Sequence, residues 1–115
     1  MKATIWHNNR CSNSRGALAL LQEAGAEVEV IDYLQNPPDP ATLRGLLAEM
    51  NMPARDLLRS KEAIFAELGL AEKLDDESAL VEAMAMHPAL INRPIVRTAK
   101  GVALCRPPET VRALL

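Results

Sequence analysis

Cys11 is the residue of this chain best suited to nucleophilic chemistry, and its neighbours say of what kind. It stands in His7-Asn8-Asn9-Arg10-Cys11-Ser12-Asn13-Ser14-Arg15, between a short apolar run and a run with helical spacing. A thiol at the first turn of a helix meets unpaired backbone N–H groups and the positive end of the helix dipole, which favour the thiolate. Arg10 and Arg15 add positive charge, so the sequence predicts a thiol shifted toward its ionised form and nucleophilic near neutral pH. Without that context a lone cysteine is as often a small buried apolar residue. The strand-end position and the flanking arginines favour the reactive reading.

Spacing then limits the chemistry. Ser14 holds the place of the second cysteine in Cys-x-x-Cys redox proteins, so no disulfide forms across this turn and a resolving thiol must come from elsewhere. Tyrosine-phosphatase-type loops carry an arginine six residues after the cysteine, where this chain has Ala17, which argues against phosphate-ester hydrolysis. The remaining cysteine, Cys105, reads as a buried strand residue. Two distant cysteines and the histidines His7 and His87 show no zinc-ligand spacing, and no dinucleotide motif is visible, so neither a metal nor a bound cofactor is expected.

The elements that must hold Cys11 follow from periodicity. Ala3 to Trp6 and Glu27 to Tyr33 read as strands. Between them Ala17, Leu18, Leu20, Leu21 and Ala24 recur at helical spacing, with Ser12 or Asn13 as N-cap and Gly25 just past the end. This βαβ unit implies a parallel pair with a right-handed crossover and puts Cys11 between first strand and first helix. Asp39-Pro40 starts a helix carrying Leu43, Leu46, Leu47 and Met50. Further helical pieces are expected at about 54–58, 61–68 ending at Gly69, and 77–86 stopped by Pro88. Ile95 to Arg97, a turn over 98–101, and Val102 to Cys105 suggest an antiparallel hairpin, and Pro107-Pro108 introduce a short terminal helix. The order describes a thioredoxin-like α/β core with a mixed four-stranded sheet and a helical insertion at about 39–88, in one domain.

Composition excludes several partners. A hydrophobic fraction of 49% over 115 residues suffices for a core without staples. Aromatic residues at 3% leave no platform for stacking bases, and a net charge of −2 disfavours a polyanion, so nucleic acid is not an expected partner. No stretch approaches the roughly 20 apolar residues that span a bilayer. The start MKATIWHNN lacks a long apolar segment, so a soluble cytoplasmic protein with reduced thiols is expected. A monomer is the expected state, although no feature of the sequence sets it.

A further set of segments is ordered along the chain: Tyr33-Leu34, Asn36-Pro37-Pro38, Leu57-Leu58-Arg59, His87-Pro88, Asn92-Arg93-Pro94-Ile95-Val96 and Leu104-Cys105-Arg106-Pro107. With His7 and Cys11-Ser12-Asn13-Ser14-Arg15 they resemble the glutaredoxin-coupled arsenate reductases over essentially the whole length. The resemblance implies that Cys11 attacks arsenate while Arg59, Arg93 and Arg106 hold the oxyanion. Arginine suits that task because its rigid, always charged fork bonds two oxygens of a tetrahedral anion at once. By the same resemblance His7 helps keep Cys11 ionised, Ser14 and Arg15 support the loop, and Pro94 matches the cis proline that faces the cysteine. Arsenate would be reduced to arsenite with glutathione as co-substrate and glutaredoxin as partner. This chain departs from the pattern at Asn9-Arg10 and Ser12, where the family has Asn-Pro and glycine. Two alternatives keep the fold: a glutathione-dependent thiol reductase of another substrate, and a non-catalytic redox-responsive regulator that binds RNA polymerase.

Overall fold

The computed structural model describes residues 1–115. Strand β1 (Lys2–His7) is deeply enclosed, with Ile5 fully inaccessible and Ala3, Trp6 and His7 nearly so. A strand buried this deeply needs partners on both edges to satisfy its backbone. Strand β2 (Glu27–Asp32) lies parallel on one side and β3 (Ile95–Thr98) antiparallel on the other. Strand β4 (Gly101–Leu104) completes the order β2-β1-β3-β4 by pairing antiparallel with β3. This is the mixed four-stranded sheet of a thioredoxin-like α/β fold.

The parallel pair requires a crossover, and α1 (Ser12–Glu23) supplies it. Ala17 and Leu21, one helical turn apart, are fully buried in a cluster with Ala3, Ile5, Val96, Cys105, Val111 and Leu114. The N-cap is Cys11 itself, where Ser12 or Asn13 was expected, and its backbone is extended. The sulfur is therefore left at the open amide end. Gly25 ends the helix at φ +78°, a conformation that suits glycine, with its N–H donating to Gln22 O at 3.0 Å.

The chain end is a 3₁₀ segment, Pro108–Leu114, where a short terminal helix was expected. Two prolines at its start remove backbone donors, and Val111 and Leu114 reach the core within this tighter coil. Gly16 permits the approach, since a Cβ there would lie 3.1 Å from the Pro108 ring. Thr98 ties the segment to the hairpin: its hydroxyl donates to Leu114 O at 2.7 Å and accepts from the Lys100 N–H at 3.1 Å.

Residues 1–36 and 93–115 form one compact unit, and residues 37–92 form a second, which is helical. In the second, Asp39 caps α2 (Pro40–Met50) by accepting from the Thr42 N–H at 2.7 Å, and Asp76 caps α5 (Glu77–Met86) by accepting from Ala79 at 3.1 Å. Short helices α3 (Ala54–Leu57) and α4 (Ala63–Glu67) lie between them. Leu43, Leu46 and Leu47 of α2 and Leu80, Val81 and Met84 of α5 are buried.

Leu21→Ala should open a cavity in the sheet–helix cluster and cost about 2–5 kcal/mol. Val30→Ala, at a side chain 47% exposed on the edge strand, should cost under about 1 kcal/mol. Urea unfolding of the two variants measures the difference, and equal losses would contradict this account of the core.

Candidate active site

The loop between β1 and α1 is built around Asn8, which is buried although polar. Its carbonyl accepts from the Cys11 N–H at 3.0 Å and its side-chain oxygen from the Arg10 N–H at 2.9 Å. Its backbone N–H donates to Ser14 Oγ at 3.0 Å, and its side-chain amide donates to the Tyr33 hydroxyl at 3.2 Å. All four polar groups of one residue thus hold the turn that presents Cys11. Sequence reasoning assigned Asn8 no role; its signal was an asparagine just past a strand end, where its side chain can mimic a backbone turn.

Ser14 is fully buried in the first turn of α1. Its hydroxyl accepts from Asn8 and lies 2.8 Å from His7 Nδ1, while His7 Nε2 lies 3.4 Å from Asn9 Oδ1. A neutral His7 with its proton on Nε2 satisfies the set: the serine donates to Nδ1 and Nε2–H donates to Asn9. His7 therefore meets Ser14, and the backbone N–H of Ser14 in turn donates to the Cys11 sulfur.

Cys11 is half-buried and free. Burial raises its pKa, but the Ser14 N–H, the Arg93 side chain, the Asn13 N–H and the Arg106 side chain together outweigh that, and the thiol falls from 9.0 to about 7. The helix-end donors act as the sequence suggested. The arginines do not: those that reach the sulfur are Arg93 and Arg106, from the far end of the chain, rather than Arg10 and Arg15. Arg15 Nη1 instead donates to Asn9 O at 2.9 Å, and the Arg10 side chain is exposed. The reason is geometric, since Arg15 sits one turn into α1 and reaches back along the loop.

Arg106 Nη1 lies 3.5 Å from Cys11 Sγ and donates to Arg93 O at 2.9 Å. The Asn13 amide, turned so that its oxygen faces the guanidinium, accepts from both Arg106 terminal nitrogens at 3.3 Å. The Arg93–Pro94 and Arg106–Pro107 peptides are both cis, and Pro94 O accepts from the Cys105 N–H at 2.8 Å. Cys105 is fully buried and its thiol is pushed up to about 11 by desolvation, so it stays protonated near neutral pH.

Cys11, Ser14, His7, Arg15, Arg93, Pro94 and Arg106 thus all belong to the unit that carries the sheet. Arg59 belongs to the helical unit. There its N–H donates to Leu90 O at 2.8 Å, its Nη1 to Asn92 Oδ1 at 3.2 Å and its Nε to Glu62 at 3.4 Å.

The profile of the ArsC family matches residues 6–114. The chain belongs to the ArsC family. Among ArsC relatives, the arsenate reductase of Rhizobium meliloti (strain 1021) is 44% identical over 115 residues, all of this chain and 82% of that protein. The uncharacterized protein YfgD of Escherichia coli (strain K12) is 49% identical over 108 residues, covering 93% of this chain and 91% of YfgD. In structure, the chain is similar to the arsenate reductase from Vibrio cholerae, with a TM-score of 0.94 and 40% identity over 100% of this chain and 98% of that one.

The charge on this ArsC cysteine should be lost as pH falls through about 7. Thiolate absorbance of the wild type, with Cys11→Ser subtracted, gives the midpoint. Arg106→Ala should move it upward, toward the ordinary 9.0. A midpoint already at the ordinary value in the wild type would refute the electrostatic account.

Proposed function

We propose that the protein reduces arsenate to arsenite through an arsenylated Cys11, with glutathione as co-substrate and a glutaredoxin as partner. The observation that carries this reading is a thiolate poised at a helix start with the Arg93 and Arg106 side chains on its sulfur. Likeness to arsenate reductases of similar length supports the choice of oxyanion. Arg93 and Arg106 are suited to bond the oxygens of a tetrahedral anion as the sulfur attacks its centre. Arg59 is the third anion ligand in this reading, on its match to the family's Leu-Leu-Arg segment.

The Cys11 thiolate attacks arsenic(V) and displaces one oxygen as water, leaving a sulfur–arsenic bond. Reduction to arsenic(III) takes two electrons, supplied as two thiols close to one disulfide. Ser14 offers no thiol for this step and Cys105 is buried and protonated, which supports an external donor such as glutathione. His7 acts as a positioning residue through Ser14. The enzyme works as a monomer in the cytoplasm, a reducing compartment that suits two free thiols.

A second reading has an observation in its favour. The loop Asn9-Arg10-Cys11-Ser12 differs from the family's pattern, and the 49% identity to YfgD ties the chain to a relative without an assigned substrate. That reading is a glutathione-dependent thiol reductase acting on another compound.

The test is arsenite formation with glutathione, glutaredoxin, glutathione reductase and NADPH present, following the arsenic product and NADPH oxidation together. Cys11→Ser should reduce turnover to background. Alanine at Arg59, Arg93 or Arg106 should each lower kcat/KM by about ten- to a hundredfold, the value of a lost charge-assisted hydrogen bond. Unchanged activity in all three would sink the anion site, and a silent wild type with a reactive Cys11 would favour the second reading.

A further inference from the structure

The cations around Cys11 are engaged, with one exception. Arg93 and Arg106 bond the sulfur, Arg15 donates to Asn9 O, Arg97 lies 5.4 Å over the Trp6 ring, and Lys100 holds the Leu115 carbonyl. Lys2 stands at the opposite end of β1. Arg10 is different: its backbone is pinned by Asn8, yet its side chain is exposed and makes no ion pair or hydrogen bond. It directly precedes the nucleophile, so its Cα lies about 3.8 Å from that of Cys11.

No acid offsets it locally. Residues 1–22 and 93–108, which together supply the loop, the helix start and both sulfur-bonding arginines, contain no Asp or Glu. The acid nearest in the sheet is Asp32, paired with His7 across β1 and β2, and its side chain accepts from the Leu34 N–H. Arg10 is thus an exposed positive charge without an ion-pair partner, next to Cys11 on the same loop. Such a charge acts on whatever approaches the sulfur from solvent, and little on a sulfur already fixed by other donors.

We propose that Arg10 is a specificity-determining residue that favours anionic reactants at Cys11, selecting as reductant a thiol that also bears a carboxylate over a neutral or cationic thiol. The proposal rests on the reading of Cys11 as the nucleophile. A thiolate approaching the Cys11 adduct brings its own negative charge, and a carboxylate brings a second. Arg10 lowers the cost of bringing both near an oxyanion already held in the site. Arg93 and Arg106 cannot serve this purpose once they bond that oxyanion.

The test separates charge from nucleophilicity with two alkylating probes. In each reaction the Cys11 thiolate displaces iodide and forms one sulfur–carbon bond, but iodoacetate is anionic and iodoacetamide neutral. Rates are read by mass spectrometry of the Cys11 peptide at low ionic strength, in wild type, Arg10→Gln, Arg10→Glu and Arg10→Lys. Arg10→Gln should lower the iodoacetate-to-iodoacetamide ratio about threefold and Arg10→Glu about tenfold, with the iodoacetamide rate within about twofold of wild type. Arg10→Lys should restore the ratio, and added salt should erase the differences.

Arg10→Gln and Arg10→Glu, with Cys11 as a mixed disulfide, should lose preference for 3-mercaptopropionate over 2-mercaptoethanol and gain in rate toward cysteamine, whereas Arg10→Lys should keep the wild-type preference. In that exchange the incoming thiolate forms one S–S bond as another breaks. An unchanged ratio in Arg10→Gln with a reactive Cys11 overturns the role of Arg10 and leaves the nucleophile standing. A wild-type Cys11 inert to iodoacetamide near neutral pH overturns both.

Discussion

A sulfur partly withdrawn from water is expensive to charge, because burial favours the neutral thiol. At Cys11 that penalty is the largest single influence on the sulfur, and the thiol still falls to about 7. The compensation comes from two sources that the fold must bring together. Backbone N–H groups come from the start of α1, because Cys11 occupies the N-cap position and its sulfur faces the unpaired amides of Asn13 and Ser14. Side-chain donors come from Arg93 and Arg106, which flank the β3–β4 hairpin. Pairing β1 antiparallel with β3 is what puts the helix start and the open end of the hairpin at the same end of the sheet.

Holding the sulfur in that position falls to groups that carry no charge. Asn8 uses its carbonyl, both side-chain polar groups and its N–H to fix the turn, and Ser14 joins that turn to His7. Because these groups are buried, each bond matters more for what its loss would leave: an unpaired buried donor or acceptor costs about 1–3 kcal/mol. The network therefore resists the rearrangement that would let the thiol turn away from its donors. It also joins His7 to the sulfur only indirectly: the ring meets the hydroxyl of the serine whose N–H faces the sulfur.

Local pattern made much of this visible in the sequence. The βαβ unit followed from the spacing of Ala17 and Leu21 and from Gly25, whose left-handed backbone marks the helix end. Asp39 announced its helix because a cap bond spans only three residues. Long-range geometry was less accessible. Charge read along the chain put Arg10 and Arg15 beside the sulfur, whereas the bonding arginine Arg106 lies 95 residues away and was indicated by resemblance to a family rather than by spacing. Asn8 escaped notice because its importance lies in four partners that only the folded loop assembles. The terminal 3₁₀ segment was read as a helix because apolar spacing over so few residues does not separate the two coils.

The two kinds of arginine at this site illustrate why position in the fold matters more than position in the chain. Arg106 is oriented before any anion arrives, by the carbonyl of Arg93 on one side and the amide of Asn13 on the other. A donor fixed in this way need not reorganise when negative charge moves from the sulfur to the oxygens of a bound species, so its stabilisation is available throughout an attack by sulfur. Arg10 has no such anchors and loses side-chain freedom on binding anything, which makes it a poor ligand for a reacting group. Its field, however, requires no fixed geometry. Catalytic charge stabilisation and the sorting of incoming anions thus make opposite demands on a side chain; the anchored Arg106 is suited to the first and the exposed, unanchored Arg10 to the second.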